Sequence, residues 1–347
     1  MSRCNKCSGV LLMLSLTACA SSTSTQSAGP TTTAPAGTAT NTAREVTTTT
    51  AEKKAPVSEI GSHGVGRREK TYVDESRPTA ANGSYQGAKN RTLHTFTWYP
   101  SSAAKPGGDV VDNGAPDSSS GPFPLIILSH GVTGIAGVYG GTGIALASAG
   151  YVVVAPDYPL SNGAAPGGPV VSDVTNQPAD AAFVLQSVID DNTTDFAGVI
   201  ATDRIGAMGH SLGGFTTMGL TFSKCCADPS IDTAVVLAAG PFGTDLLDQE
   251  SPTPVLFVHG DADGTVPYER GRAAYDLMKA PKAFVTIPGG AHIPPFLGLA
   301  SELADQYHKV LVPWFDRWLK VSINSLDAMR TAVKNSLGSL ELEEELR

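Results

Sequence analysis

Apolar residues fall into short runs divided by longer amphipathic stretches. Leu125-Ile126-Ile127-Leu128 and Tyr151-Val152-Val153-Val154 are continuous runs of strand length, and so are Ala234–Leu237, Val255–Val258 and Phe284–Ile287. Arg204-Ile205-Gly206-Ala207-Met208 has the same character. Between these runs, spacings of three and four predict helices around Thr142–Ala149, Pro178–Asp190, Tyr268–Met278 and Glu302–Leu319. Strands alternating with helices predict an α/β class fold, with a mostly parallel central sheet and helices on both faces. Upstream, Arg67–Val73 and Leu93–Tyr99 alternate as half-buried strands do. The loop Ser101–Gly121, rich in Pro, Gly, Asp and Ser, reads as a surface excursion. Residues 323–347 are periodic in Leu and end in acids, which fits either a terminal helix or a frayed tail. The connections after Tyr158 and Pro241 are short, so no large lid domain is expected and the cleft should be open.

The N-terminus breaks this rhythm. Arg3 and Lys6 precede the apolar run Val10–Leu16, which is too short to cross a bilayer as a permanent helix. Leu16-Thr17-Ala18-Cys19 resembles the lipobox of bacterial lipoprotein precursors. The resemblance implies that residues 1–18 are a signal peptide, that Cys19 is lipidated, and that the mature chain is held at a membrane surface. An ordinary secretory signal is the alternative, and under both readings the chain is exported. Residues 19–58 are Thr, Ser, Pro and Ala with few large apolar side chains, and are expected to form a disordered tether. Residues 59–322 then form the folded domain.

Composition narrows the partners. With 347 residues, 41% of them hydrophobic, the chain can build one α/β domain of ordinary size. The net charge of -9 comes without a basic stripe, so no nucleic acid partner is expected. Of five cysteines, Cys4 and Cys7 fall in the signal and Cys19 would carry lipid. Cys225 and Cys226 remain, either as a vicinal disulfide or as two free thiols. No His or Cys lies near them at ligand spacing, and no phosphate-cradling or His-Glu-x-x-His motif occurs, so neither a metal nor a cofactor is expected.

The chemistry concentrates at Gly209-His210-Ser211-Leu212-Gly213, where the run Arg204–Met208 should turn into a helix opening at Leu212. Gly-x-Ser-x-Gly at a strand-to-helix junction is the nucleophile elbow of the α/β-hydrolase fold. A serine hydroxyl needs an imidazole to take its proton, and the imidazole needs a carboxylate. On this fold the order is Ser, acid, His. Asp263 lies in the loop after Val255–Val258 and is the expected acid, with Asp261 as its competitor and otherwise a brace for that loop. His292 follows the last strand and is the expected base. His130, His210 and His259 adjoin these motifs and are not read as metal ligands. The oxyanion donors should be the N–H of Leu212 and, in Ser129-His130-Gly131-Val132-Thr133-Gly134, the N–H of Val132.

From about Val65 to Leu319 the chain resembles the bacterial platelet-activating-factor acetylhydrolase and dienelactone-hydrolase-like branch, to which polyester hydrolases and cutinases are related. The matching stretches include Asp74-Glu75-Ser76-Arg77-Pro78, Trp98-Tyr99-Pro100, Gln177-Pro178-Ala179-Asp180, Asp203 to Gly214 and Cys225-Cys226-Ala227-Asp228-Pro229. The resemblance implies a serine carboxylic-ester hydrolase with Ser211, Asp263 and His292 in the triad places, acting on a small or polymeric ester. Two departures stand out. Dienelactone hydrolases use cysteine where Ser211 stands. Polyester hydrolases place an aromatic residue where Val132 stands, which weakens the case for an aromatic clamp. Phe242 and Phe296 are candidate pocket walls or core residues. A peptidase on the same triad and a non-catalytic surface-binding lipoprotein are the alternatives.

Overall fold

In the computed structural model of the chain, the described residues are 56–346, apart from 242, 280, 294, 295, 298–300 and 337. The expected signal peptide, Cys19, most of the expected tether and Phe242 therefore lie outside the described residues.

The long antiparallel strands β1 (Val65–Asp74) and β2 (Arg91–Pro100) pair along their whole length, and the short β3 (Val111–Asp112) adds to β1. Then the parallel core begins with β4 (Phe123–Ser129), α1 (Gly140–Ser148), β5 (Val152–Pro156), α2 (Gln177–Asp190), β6 (Ile200–His210) and α3 (Leu212–Phe222). It continues with β7 (Ile231–Leu237), β8 (Val255–Gly260), α4 (Tyr268–Leu277), β9 (Lys282–Ile287) and α5 (Glu302–Leu319). The chain closes with α6 (Ser325–Asn335) and β10 (Glu341–Glu345). The sheet order is β10-β9-β8-β7-β6-β4-β5-β2-β1-β3. Strands β4 to β9 are mutually parallel, and β10 is antiparallel to β9.

The continuous apolar runs are buried on both faces, because successive side chains point to opposite sides. Ile126, Leu128, Val153, Met208 and Val235 meet α1, α5 and α6 on one face. On the other, Leu125, Ile127 and Val154 meet α2, while Val236, Val255 and Phe257 meet α3 and α4. Helix α3 is buried on nearly every side, which is why it carries no charge, and its Thr216 and Thr217 hydroxyls donate back to the carbonyls of Leu212 and Gly213.

Two expectations need revision. The tail is neither wholly helical nor frayed, since β10 completes the sheet edge with Leu342 packed against the core. The folded domain starts before residue 59, because the Ser58 N–H and hydroxyl both donate to Asp316 of α5 (2.6 and 2.7 Å). The loop Ser101–Gly121 is mostly exposed, as a surface excursion would be, with β3 inside it and Ser101 bridging to Pro116.

Candidate active site

Sheet register brings distant loops to one rim. Ser129 at the end of β4 pairs with Gly209 of β6, His210 pairs with Leu237, and Gly260 at the end of β8 pairs with Ile287 of β9. The segments that follow β4, β6, β8 and β9 therefore emerge side by side at the carboxyl ends of the strands, where open α/β sheets bind ligands.

The turn between β6 and α3 forces Ser211 to φ 56° and ψ -120°. For a residue with a Cβ this backbone is strained, and it holds the hydroxyl above the first turn of α3. The turn also closes two backbone segments on each other. A Cβ at Gly209 would lie 2.1 Å from the Gly213 carbonyl oxygen, and one at Gly213 would lie 2.0 Å from the Ser129 carbonyl oxygen. Glycine is obligatory at both places for that reason.

Ser211 Oγ lies 2.8 Å from His292 Nε2, and His292 Nδ1 lies 2.7 Å from Asp263 Oδ2. Since the carboxylate only accepts, Nδ1 carries the proton and Nε2 presents a lone pair to the hydroxyl. The other oxygen, Asp263 Oδ1, accepts from the Thr265 and Val266 N–H groups at 2.8 and 2.9 Å. Burial works to raise the Asp263 pKa, but the His292 bond and these backbone donors outweigh it, so the carboxyl sits below its ordinary range. Asp261 plays a different part. It is exposed, and its Oδ1 accepts from the Gly289 N–H at 2.6 Å, bracing the loop that carries His292.

The Leu212 N–H is the first of α3 and has no intrahelical acceptor. Around Val132, the Gly131 N–H donates to Tyr139 Oη (3.0 Å) and the Thr133 N–H to the Ser161 carbonyl (2.8 Å). The Val132 N–H has no partner among the described residues. It shares a peptide plane with the Gly131 carbonyl, which accepts from His130 Nδ1 and the Gly134 N–H. The plane is thus held from its far side, with the Val132 N–H directed away from those bonds.

The remaining histidines are absorbed locally. His130 Nε2 accepts from the Tyr158 N–H (3.0 Å). His259 Nε2 donates to the Val266 carbonyl (3.0 Å) and lies 3.3 Å from Asp263 Oδ2. Burial lowers the pKa of both. No cluster of His, Cys, Asp and Glu able to hold a metal occurs among the described residues. Phe296 is not an open pocket wall. Its ring is wholly buried between His210 and Tyr307, at centroid distances of 5.1 and 5.6 Å, so it belongs to the core behind the elbow. Cys225 and Cys226, just past α3, are joined as a vicinal disulfide. Sequence reasoning missed Tyr139, whose hydroxyl reaches both Gly131 and His210. Nothing in its surroundings along the chain marks it out.

Comparison with known proteins follows the same line. A family described as PETase, PET hydrolase-like, matches residues 79–324. The YfhR protein of Escherichia coli is 39% identical over 70 residues, which is 20% of this chain and 24% of that protein. A bis(hydroxyethyl) terephthalate hydrolase of Streptomyces coelicolor is 29% identical over 152 residues, 43% of each chain. The cutinase est2 of Thermobifida alba is 24% identical over 203 residues, 57% of this chain and 60% of that one. The chain thus spans less than two thirds of these curated relatives. A solved ferulic acid esterase from Streptomyces cinnamoneus superimposes with a TM-score of 0.54 at 24% identity, covering 77% of this chain and 92% of its own, a likeness of fold. With the matched region taking in strands β4 to β9 and the whole rim, the chain belongs to the PET hydrolase-like family and has the α/β-hydrolase fold.

Proposed function

We propose that this chain is a serine carboxylic-ester hydrolase working through Ser211, His292 and Asp263. The observation that carries the reading is the unbroken run from Ser211 Oγ to His292 Nε2 (2.8 Å) and from His292 Nδ1 to Asp263 Oδ2 (2.7 Å). His292 takes the hydroxyl proton as Ser211 Oγ attacks the ester carbonyl, and the tetrahedral oxyanion settles against the Val132 and Leu212 N–H groups. Each such donor typically lowers the barrier by about 3 kcal/mol. The imidazolium, held by Asp263, protonates the departing alcohol. Water then enters, gives its proton to His292 and cleaves the acyl-enzyme, restoring Ser211.

Relatives named for terephthalate esters and for cutin support a small or polymeric ester as substrate. Val132 in the oxyanion loop and the exposed Ile293 beside the base make this an aliphatic rim. Nitrophenyl esters of increasing acyl length, compared with aminoacyl anilides, test the reading. Ester turnover lost in Ser211→Ala supports it, whereas faster turnover of anilides would favour a peptidase. Export and lipid attachment at Cys19 complete the proposal and rest on the sequence alone. Incorporation of a palmitate analogue that disappears in Cys19→Ala tests them.

A further inference from the structure

We infer that Tyr139 is a positioning residue that ties the oxyanion loop to the loop of the base, through His210. The inference rests on the Ser211, His292 and Asp263 reading above and deepens it.

The directions of the bonds follow from the acceptors. The His292 backbone carbonyl can only accept, so His210 Nε2, 2.8 Å away, must donate to it. His210 is buried, and burial, with His292 as a close neighbour, pushes its pKa down to about 3. The ring is therefore neutral, and with its proton on Nε2 its Nδ1 must accept. Among the described residues the hydroxyl on that nitrogen is Tyr139 Oη, at 2.8 Å, so Tyr139 donates its proton there. Tyr139 Oη in turn accepts from the Gly131 N–H at 3.0 Å. The bonds run one way: Gly131 N–H to Tyr139, Tyr139 O–H to His210, His210 N–H to the His292 carbonyl. Bonds aligned in this sense polarise one another in a dry interior.

Both ends of the run abut the chemistry. At one end, Gly131 precedes Val132, whose N–H is the proposed oxyanion donor. The carbonyl on the far side of that N–H is held by His130 and Gly134, so the Tyr139 bond fixes the preceding peptide as well. At the other end, the carbonyl belongs to the base itself. Tyr139 and His210 are both buried, which shields the two bonds of the Tyr139 hydroxyl from water, and Phe296 backs the His210 ring. The neutrality of His210 has its own consequence. Its ring centroid is 4.9 Å from that of His292, and a second imidazolium there would oppose the proton transfer to His292.

The test uses the full chain and nitrophenyl butyrate. Tyr139→Phe removes the hydroxyl and keeps the ring. Its kcat should fall by about 10-fold or more, with KM within twofold of wild type, while the thermal midpoint drops by a few degrees because the Gly131 N–H and His210 Nδ1 lose a buried partner, and the chain stays folded at the assay temperature. His210→Gln should lose a similar factor, and the double variant should be little worse than the poorer single one, because both cut the same run. A Tyr139→Phe kcat within twofold of wild type, or losses that multiply in the double variant, would overturn the inference. Nitrogen-15 NMR of the wild-type histidines gives a readout that needs no variant to fold. His210 should hold its proton on Nε2 and present an accepting Nδ1 from pH 5 to 9, and the opposite tautomer would refute the bond order. Failure of the esterase reading shows itself separately, as Ser211→Ala hydrolysing the ester like wild type.

Discussion

Strain at Ser211 and satisfaction at Asp263 are two sides of one arrangement at the scale of the residue. A positive φ on a residue with a Cβ costs of order 1–3 kcal/mol, and the packed turn between Gly209 and Gly213 sustains it. Asp263 is the opposite case, a buried carboxylate whose oxygens all find donors. Asp263→Asn keeps the shape but removes the charge that faces His292 Nδ1 and, in the proposed mechanism, stabilises the imidazolium. Ester kcat should fall by roughly 10³- to 10⁴-fold with little change in KM. A loss below 10-fold in steady-state kinetics would remove Asp263 from the mechanism. Ser211, His292 and Asp263 were legible as residues, because elbow chemistry and chain order are local signals. Tyr139 was not, since its partners lie in other segments and a tyrosine in an apolar stretch reads as core. Phe296 was ambiguous for the same reason, because one aromatic spacing fits a wall or a core.

Elements repeat the lesson with different physics. The parallel strands were legible because both their faces are buried, which demands unbroken apolar runs. Strand β10 was not, because Glu341–Glu345 is acidic, and acidic residues are poor strand formers. Its charges find partners in space: Glu343 with Arg272, Glu344 with Arg330 and Glu345 with Lys282. A charged edge strand also resists pairing with other chains. Between β2 and α2 the connection is ionic and internal. Arg91, 1% exposed, donates to both oxygens of Asp180 at 2.6 Å and to Asp173 at 2.8 and 3.2 Å. Arg91→Leu would leave two carboxylates buried without it, and should cost about 3–5 kcal/mol in urea unfolding. A cost under 1 kcal/mol would mean that Arg77, which also reaches Asp180, suffices alone.

For the molecule as a whole, buried neutral histidines set the response to acid. Burial lowers His210 from 6.5 to about 3 and His308 from 6.5 to about 4. The unfolded chain protonates these rings first as pH drops below about 6.5 and so binds more protons than the folded one. Their contribution is full above that pH and is lost as pH falls towards the folded values. At pH 5 each costs about 2 kcal/mol relative to pH 7. Urea midpoints should fall from pH 7 to 5, and fall less in His308→Gln. An equal slope in that variant would exclude His308 as a source.

The proposed chemistry turns on one hydroxyl as the reactive centre of the molecule. The most direct measurement is the mass of the folded chain after treatment with a fluorophosphonate, followed by mapping of the adduct. The account predicts a single phosphonyl group on Ser211, absent in Ser211→Ala and formed far more slowly in His292→Ala. An adduct elsewhere, or none from a preparation that still hydrolyses esters, would contradict it.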